Sequence, residues 1–432
     1  LPAPDQPTLR REIGRSDLTG LMINATVGAG ILGLPGQIYA LVGSWGVLVC
    51  LAGGVLMALI ASCLAEVGSR FQRTGGVYIY VTEAFGAQPG LVVGVLTVIS
   101  RLLSFAGIAN LAVIYSTPLL PGLAAPLGRS LFMAAVTLAL SLPIWLGVRL
   151  SALTHNAFSL TKMVLLLGFC ACAVPSFLSH GLPHSPFPPL TLCGPALVLL
   201  LFGLGGLEAA VVSNGEMRDP GRDLPWALLA GMAVVVALYS CVLLSAMALV
   251  PDLAHSNRPV LEGLVRVLGP QLGSVIVLAS VVSMTGVMFA TLFGGPRLMF
   301  AMAEEGRLPE AFARIHPRTR TPHIAIVVHS LAALVLALCF GFIGAITAST
   351  FTRLITYAII AIASITLRRR GFSETGKALI LPGSKLRVAI VLMLFVAVAS
   401  QITRTEMISV AIVIALCLGL AASPFRQRAR RT

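Results

Sequence analysis

Four sets of residues in this 432-residue sequence have types and spacings that could do chemistry. The first is Asn24-Ala25-Thr26-Val27-Gly28-Ala29-Gly30-Ile31-Leu32-Gly33-Leu34-Pro35, inside a run from Leu18 to Val42 that carries no charge. That run is long enough to cross a bilayer, which asks for about 20 helical residues. Its middle is unfit for a continuous helix, because each glycine costs about 1 kcal/mol relative to alanine and a proline about 3. A broken helix in lipid exposes backbone N–H and C=O groups, which is tolerated only where protein or a polar cavity covers them. The stretch therefore predicts two half-helices with an unwound joint at mid-membrane. Free amides and helix ends at such a joint suit a small ion or the charged termini of an amino acid. A second stretch of the same kind is Phe202-Gly203-Leu204-Gly205-Gly206. Glycines that only let helices pack closely are the alternative for either break taken alone.

The third set is Lys162, within Ser159-Leu160-Thr161-Lys162-Met163-Val164-Leu165. A lysine at mid-span costs about 3 kcal/mol, so it needs a partner or a task. A fixed structural bridge and a proton carried during transport both fit. The fourth set is Arg101 and Glu208. Arg101 lies about 18 Å into its span at 1.5 Å per residue, and a guanidinium does not give up its proton, so it must pair. Glu208 is a candidate partner, with a helix-to-helix bridge favoured over substrate contact. For Glu208 the capping of the following half-helix is favoured over proton carriage or substrate contact. Arg353 is expected near the outer end of its span, free to snorkel.

Gly28-Ala29-Gly30-Ile31-Leu32-Gly33 also fits G-x-G-x-x-G. A dinucleotide site needs a preceding strand, a following helix and an acid about 20 residues on. Here the flanks are apolar enough for a membrane and the next acid is Glu66, so that reading is set aside.

The elements that must position these residues follow from composition. The chain is 57% hydrophobic and 11% charged, against about 25% charged in soluble domains. It reads as an all-α integral membrane protein. Apolar runs at 18–42, 45–66, 89–117, 130–146, 151–177, 195–213, 225–250, 272–302, 323–340, 350–367, 388–402 and 407–422 predict twelve transmembrane helices. The net charge of +14 resides mostly in short loops on the face of the two termini. That bias predicts cytoplasmic termini and argues against nucleic-acid binding. The broken helices are the first and the sixth, five spans apart and so opposite in orientation. This predicts a five-plus-five inverted repeat, 18–177 and 194–367, flanked by an N-terminal segment 1–17, helices 11 and 12 at 387–422 and a basic tail 423–432. No signal peptide is apparent, and the eight cysteines read as small apolar residues with no disulfide framework or metal site. No cofactor is expected.

Several segments then resemble one family. Val27 to Ile31 resembles the first-helix glycine signature of the amino acid–polyamine–organocation superfamily, in its bacterial amino-acid transporter branch. Glu66 with Gly75-Gly76-Val77-Tyr78-Ile79-Tyr80, Phe202 to Glu208 with Gly215 to Pro225, and Arg297 to Pro309 resemble three further segments. The resemblance implies the leucine-transporter fold, with two C-terminal helices added. It also implies a substrate site at Thr26, Val27, Gly28, Ala29, Gly30 and Ile31, whose amides hold the carboxylate. Phe202, Gly203, Leu204 and Gly205 would complete it, with carbonyls for the ammonium and Phe202 as a lid. Many relatives have a hydroxyl where Ala29 stands and an aromatic where Leu204 stands. The resemblance further implies that Lys162 replaces a sodium ion, with Thr291 and Ser283 as candidate neighbours.

The function expected is a sodium-independent secondary carrier, proton-coupled or exchanging, with neutral L-amino acids favoured. A cationic amino-acid or polyamine carrier, an exporter, or a non-transporting nutrient sensor are the alternatives; the short C-terminal tail disfavours the sensor. An enzyme is not expected, since no nucleophile–base or metal set lies at one depth. The loop 118–129 has no cysteine for a disulfide-linked subunit. A bacterial inner membrane is the expected location. The loop Gly215 to Arg222 is a candidate set of salt bridges closing an inner gate.

Overall fold

The structure is a computed structural model, and it describes residues 14–72, 75–146, 148–181, 185–212, 217, 219–374 and 378–400. Its elements are α-helices joined by short turns of 3₁₀-helix. Among the described residues, seven helical segments are long and apolar enough to cross a membrane, and Leu190–Gly203 and His323–Cys339 are shorter apolar helices. The predicted twelfth span, 407–422, lies outside the described residues.

The first predicted span is two helices, α1 (Arg15–Thr26) and α2 (Ala29–Val42). Val27 leaves helical geometry with ψ 97°, and Gly28 follows at φ −144°, ψ −140°. Pro35, expected at the joint, lies inside α2 instead. As the seventh residue of α2 it removes the N–H that would bond Ile31 O. Then come α3 (Gly46–Gly68), the short α4 (Val77–Phe85), α5 (Ala87–Ser116), α6 (Pro126–Leu146) and α7 (Val148–His180). The sixth predicted span is again two pieces, α8 (Leu190–Gly203) and α9 (Glu208–Val212). Gly206 between them has φ +139°, a backbone region that favours glycine. After them come α10 (Pro220–Leu249), α11 (Pro259–Leu268), α12 (Gly273–Glu304), α13 (His323–Cys339), α14 (Phe342–Arg369) and α15 (Ser384–Ala399).

The centre of the bundle is α5, which packs against α12, α13 and α14. Meanwhile α1 packs on α10, α2 on α8, and α3 on α10. The outward faces are apolar. On α6, Leu131, Leu138, Leu142 and Leu146 are more than half exposed, and α13 does the same with Leu331 and Val335. Leucines repeated at helical spacing on the outside, with hydroxyls and charges inside, invert the pattern of a soluble protein and suit lipid. The chain is a multi-pass membrane protein.

α14 begins eight residues before the expected start of span ten. Thr347, Ser349, Thr350 and Thr352 lowered the apolar signal there. Their hydroxyls bond back to the helix or across to α5: Thr350 Oγ1 donates to Ile346 O at 2.8 Å, and Ser349 Oγ to Ser100 O at 2.9 Å. Satisfied in this way, they do not end the helix. The consequence is that Arg353 lies well inside α14 rather than near its end.

In the last turn of α3 a carboxylate organises three chain segments. Glu66 is fully buried, with Arg387 Nη2 at 2.6 Å, Arg368 Nη1 at 3.5 Å and Arg70 Nη2 at 3.8 Å. On α4, Tyr78 donates a hydrogen bond to Glu305 at the end of α12. Burial and that neighbouring carboxylate push the Tyr78 hydroxyl up from its usual range, which keeps it a donor. Of the predicted gate loop, Gly215, Glu216 and Arg218 lie outside the described residues. Just beyond that loop, Asp223 accepts from Arg15 Nε at 2.7 Å.

Candidate functional site

The two helix breaks meet. A Cβ on Gly30 would lie 2.6 Å from Gly203 Cα, and a Cβ on Gly206 would lie 2.7 Å from Thr26 Oγ1. Only glycine allows the backbones to approach this closely. At the meeting point the N-terminus of α2 presents its first amides, and the C-terminus of α8 presents its last carbonyls. A helix N-terminus favours an anion and a C-terminus a cation, each by about 0.3–1 kcal/mol or more when partly buried. The arrangement can hold a carboxylate and an ammonium at opposite sides of one small space.

That space is a cavity of about 100 Å³. Thr26, Gly28, Ala29 and Gly30 line it from the first break, and Phe202, Gly203 and Gly205 from the second. Val27, Ile31 and Leu204, expected with them, are buried but do not line it. Ala29 provides no hydroxyl, and the hydroxyl of Thr26 is spent on Met22 O at 2.9 Å. Recognition from this side therefore falls to the backbone. Phe202 is buried in the last turn of α8, and the Arg353 guanidinium lies 6.0 Å from its ring centroid.

Lys162 projects from α7 to the end of α1. Its ammonium donates to Asn24 O at 2.8 Å and to Val27 O at 2.9 Å, and the side chain is 1% exposed. Carbonyls in the last turn of a helix have no intrahelical partner, and the negative end of the helix dipole gathers there. A buried cation at that spot satisfies two of them. Of its candidate neighbours on α12, Thr291 lines the cavity and its hydroxyl bonds Met288 O at 2.7 Å. Ser283 is buried and does not line it. Among the described residues the hydrogen bonds of Lys162 go to the first break, not to these two.

The charge pairing differs from expectation. Glu208 opens α9, but its carboxylate turns to α14: Arg353 Nε lies 3.2 Å from Oε1, and Tyr357 Oη donates to Oε2 at 2.6 Å. Arg353 was expected to snorkel outward. It lines the cavity instead, with Nη2 donating to Ser104 Oγ at 3.3 Å. Arg101 makes no ion pair among the described residues, and its Nε has no hydrogen-bond partner. It lines the cavity from α5, one turn before Ser104. Arg353 and Tyr357 stand at i, i+4 on one face of α14 and both reach Glu208, but the misplaced start of α14 concealed this. A further residue missed by sequence reasoning is Tyr239 on α10. Its hydroxyl stands 2.8 Å from where a Cβ on either Gly30 or Gly203 would lie.

Sequence comparison gives the family. The profile of the amino acid permease family matches residues 13–421. The chain is 26% identical over 341 residues to the branched-chain amino acid permease BcaP of Bacillus subtilis, covering 74% of this chain and 73% of the relative. It is 27% identical over 386 residues to the methylthioribose transporter of the same organism, covering 84% and 82%. To the serine/threonine exchanger SteT of that organism it is 26% identical over 382 residues, covering 85% of each. These are transporters, not enzymes. With a charged cavity where two broken helices meet inside an apolar bundle, and a family match along nearly its whole length, the chain belongs to the amino acid permease family.

Proposed function

We propose that the protein is a secondary carrier of α-amino acids that works by alternating access, independently of sodium. The observation that carries this reading is the contact of the two helix breaks around one cavity. The substrate carboxylate binds the amides at the start of α2, and its ammonium binds the carbonyls at the end of α8. Both charges are thus met by helix ends and not by side chains. Phe202 closes over the substrate.

Lys162 fills the place that a sodium ion would need, bridging α7 to the carbonyls of the first break. Coupling is then to protons or to a counter-substrate. In the membrane, twelve spans form two inverted repeats of five with two further helices, the breaks lie at mid-membrane, and both termini are cytoplasmic. The location is a bacterial inner membrane. The sequence favours neutral over cationic substrates, and the relatives named for branched-chain amino acids and for serine and threonine are in keeping with that. The cavity supports the exclusion of cations, because the one carboxylate that lines it among the described residues is already engaged by Arg353 and Tyr357.

Uptake of labelled amino acids into proteoliposomes tests the reading. Runs with a sodium gradient, a proton gradient or internal unlabelled amino acid separate the modes of coupling. Uptake indifferent to sodium is the expected result. Sodium-driven uptake would overturn the role given to Lys162, and no uptake of any amino acid would overturn the carrier.

A further inference from the structure

Two guanidinium groups and one carboxylate line the cavity. The carboxylate of Glu208 is taken by Arg353 and by the hydroxyl of Tyr357. Arg353 is further held by Ser104, whose own hydroxyl shares a hydrogen bond with Ser349 Oγ at 2.8 Å. These groups are linked to one another by contacts of their side chains. Arg101 has no such contact with them. It lies within electrostatic reach of Glu208 and Arg353, so it feels one opposite and one like charge. It makes no ion pair among the described residues, its Nε, like that of Arg353, has no hydrogen-bond partner, and among those residues no acid other than Glu208 lines the cavity. The protein has also made room for it, since a Cβ on Gly294 of α12 would lie 2.6 Å from Arg101 Nη1. A guanidinium kept charged and unpaired inside an apolar bundle is costly. An interaction with something that enters the cavity offsets that cost.

From the excess charge and its position we infer that Arg101 is the specificity-determining residue for an anionic side chain, and that the preferred substrate is an acidic amino acid. The inference rests on the carrier reading. The α-carboxylate and ammonium occupy the two helix breaks, which leaves the side chain to extend toward α5. There the cavity face reads Arg101, Ser104 and Ile108, residues that share one side of the helix. A planar guanidinium matches a carboxylate with two parallel N–H···O bonds. Neutral side chains satisfy neither the charge nor both donors, and cationic ones meet repulsion from both arginines. Acidic substrates thereby replace the neutral ones favoured on the sequence alone, while every backbone contact of the carrier reading stays the same.

The test is equilibrium competition against the purified full chain in detergent, with L-glutamate and L-aspartate set against their near-isosteres L-glutamine and L-asparagine, and against L-alanine and L-lysine. The acids should bind about tenfold to a hundredfold more tightly than the amides, the range expected for hydrogen bonds to a charged group. Arg101→Gln should remove that preference, and Arg101→Lys should restore part of it. The wild-type panel needs no variant to fold. Amides or alanine bound as tightly as the acids would overturn the inference and leave the carrier standing. A glutamate affinity unchanged in Arg101→Gln would also overturn it. Binding of no amino acid would overturn both.

Discussion

The guanidinium of Arg353 fills the space in which a side chain at Gly205 would begin. The glycine in the second helix break is therefore there to admit a cation from α14 as well as to free the backbone. Gly205→Ala should push Arg353 away from Glu208 at a cost of about 1–3 kcal/mol, the usual range for overpacking. Thermal melting in detergent should report the loss, and substrate binding should weaken in parallel. A variant with wild-type stability and binding would mean that Arg353 moves aside freely.

Glu208 carries the next prediction. Glu208→Gln leaves two arginines in the cavity with no countercharge. Removing one member of a buried ion pair typically costs about 3–5 kcal/mol. Tyr357→Phe removes only the 2.6 Å hydrogen bond and should cost about 1 kcal/mol. Melting temperatures should fall in that order; equal effects would show that the ion pair contributes little.

Much of this site was legible from residue types alone. Glycine and uncharged residues within an apolar run locate both breaks, because few other sequences leave backbone groups free in lipid. The lysine was conspicuous because its charge is costly there. The pairing of Glu208 was not legible. It depends on where α14 begins, and the hydroxyl-rich segment 342–352 looks polar until its bonds to Ile346, Ser100 and Ser104 are seen. Nor could the sequence show that Gly205 and Gly294 face guanidinium groups. That fact belongs to helix packing, which joins residues about 150 and 190 positions apart.

Lys162→Ala should leave Asn24 O and Val27 O without the donor they now share. Each lost hydrogen bond from a charged donor is worth about 1.5–3 kcal/mol, so the end of α1 should loosen. Uptake by proteoliposomes should fall by about tenfold or more, and added sodium should not restore it. Unchanged uptake would reduce Lys162 to packing.

The buried cluster around Glu66 offers a control away from the cavity. Glu66→Gln leaves Arg70, Arg368 and Arg387 without a countercharge. Stability should drop by about 3–5 kcal/mol, while the order of preference among amino acids should stay as in the wild type. A changed order would mean that the cluster communicates with the site.

The contact between Gly30 and Gly203 bears the central claim, that substrate binds where the two broken helices meet. The most direct measurement is equilibrium binding of labelled substrate to Gly30→Val, with gel filtration and melting run on the same sample. A Cβ there would lie 2.6 Å from Gly203 Cα, so the breaks must part. Binding lost by about tenfold or more in a protein that still elutes as one folded species is the predicted result. Unchanged affinity in that folded variant would contradict it, and would place the substrate elsewhere.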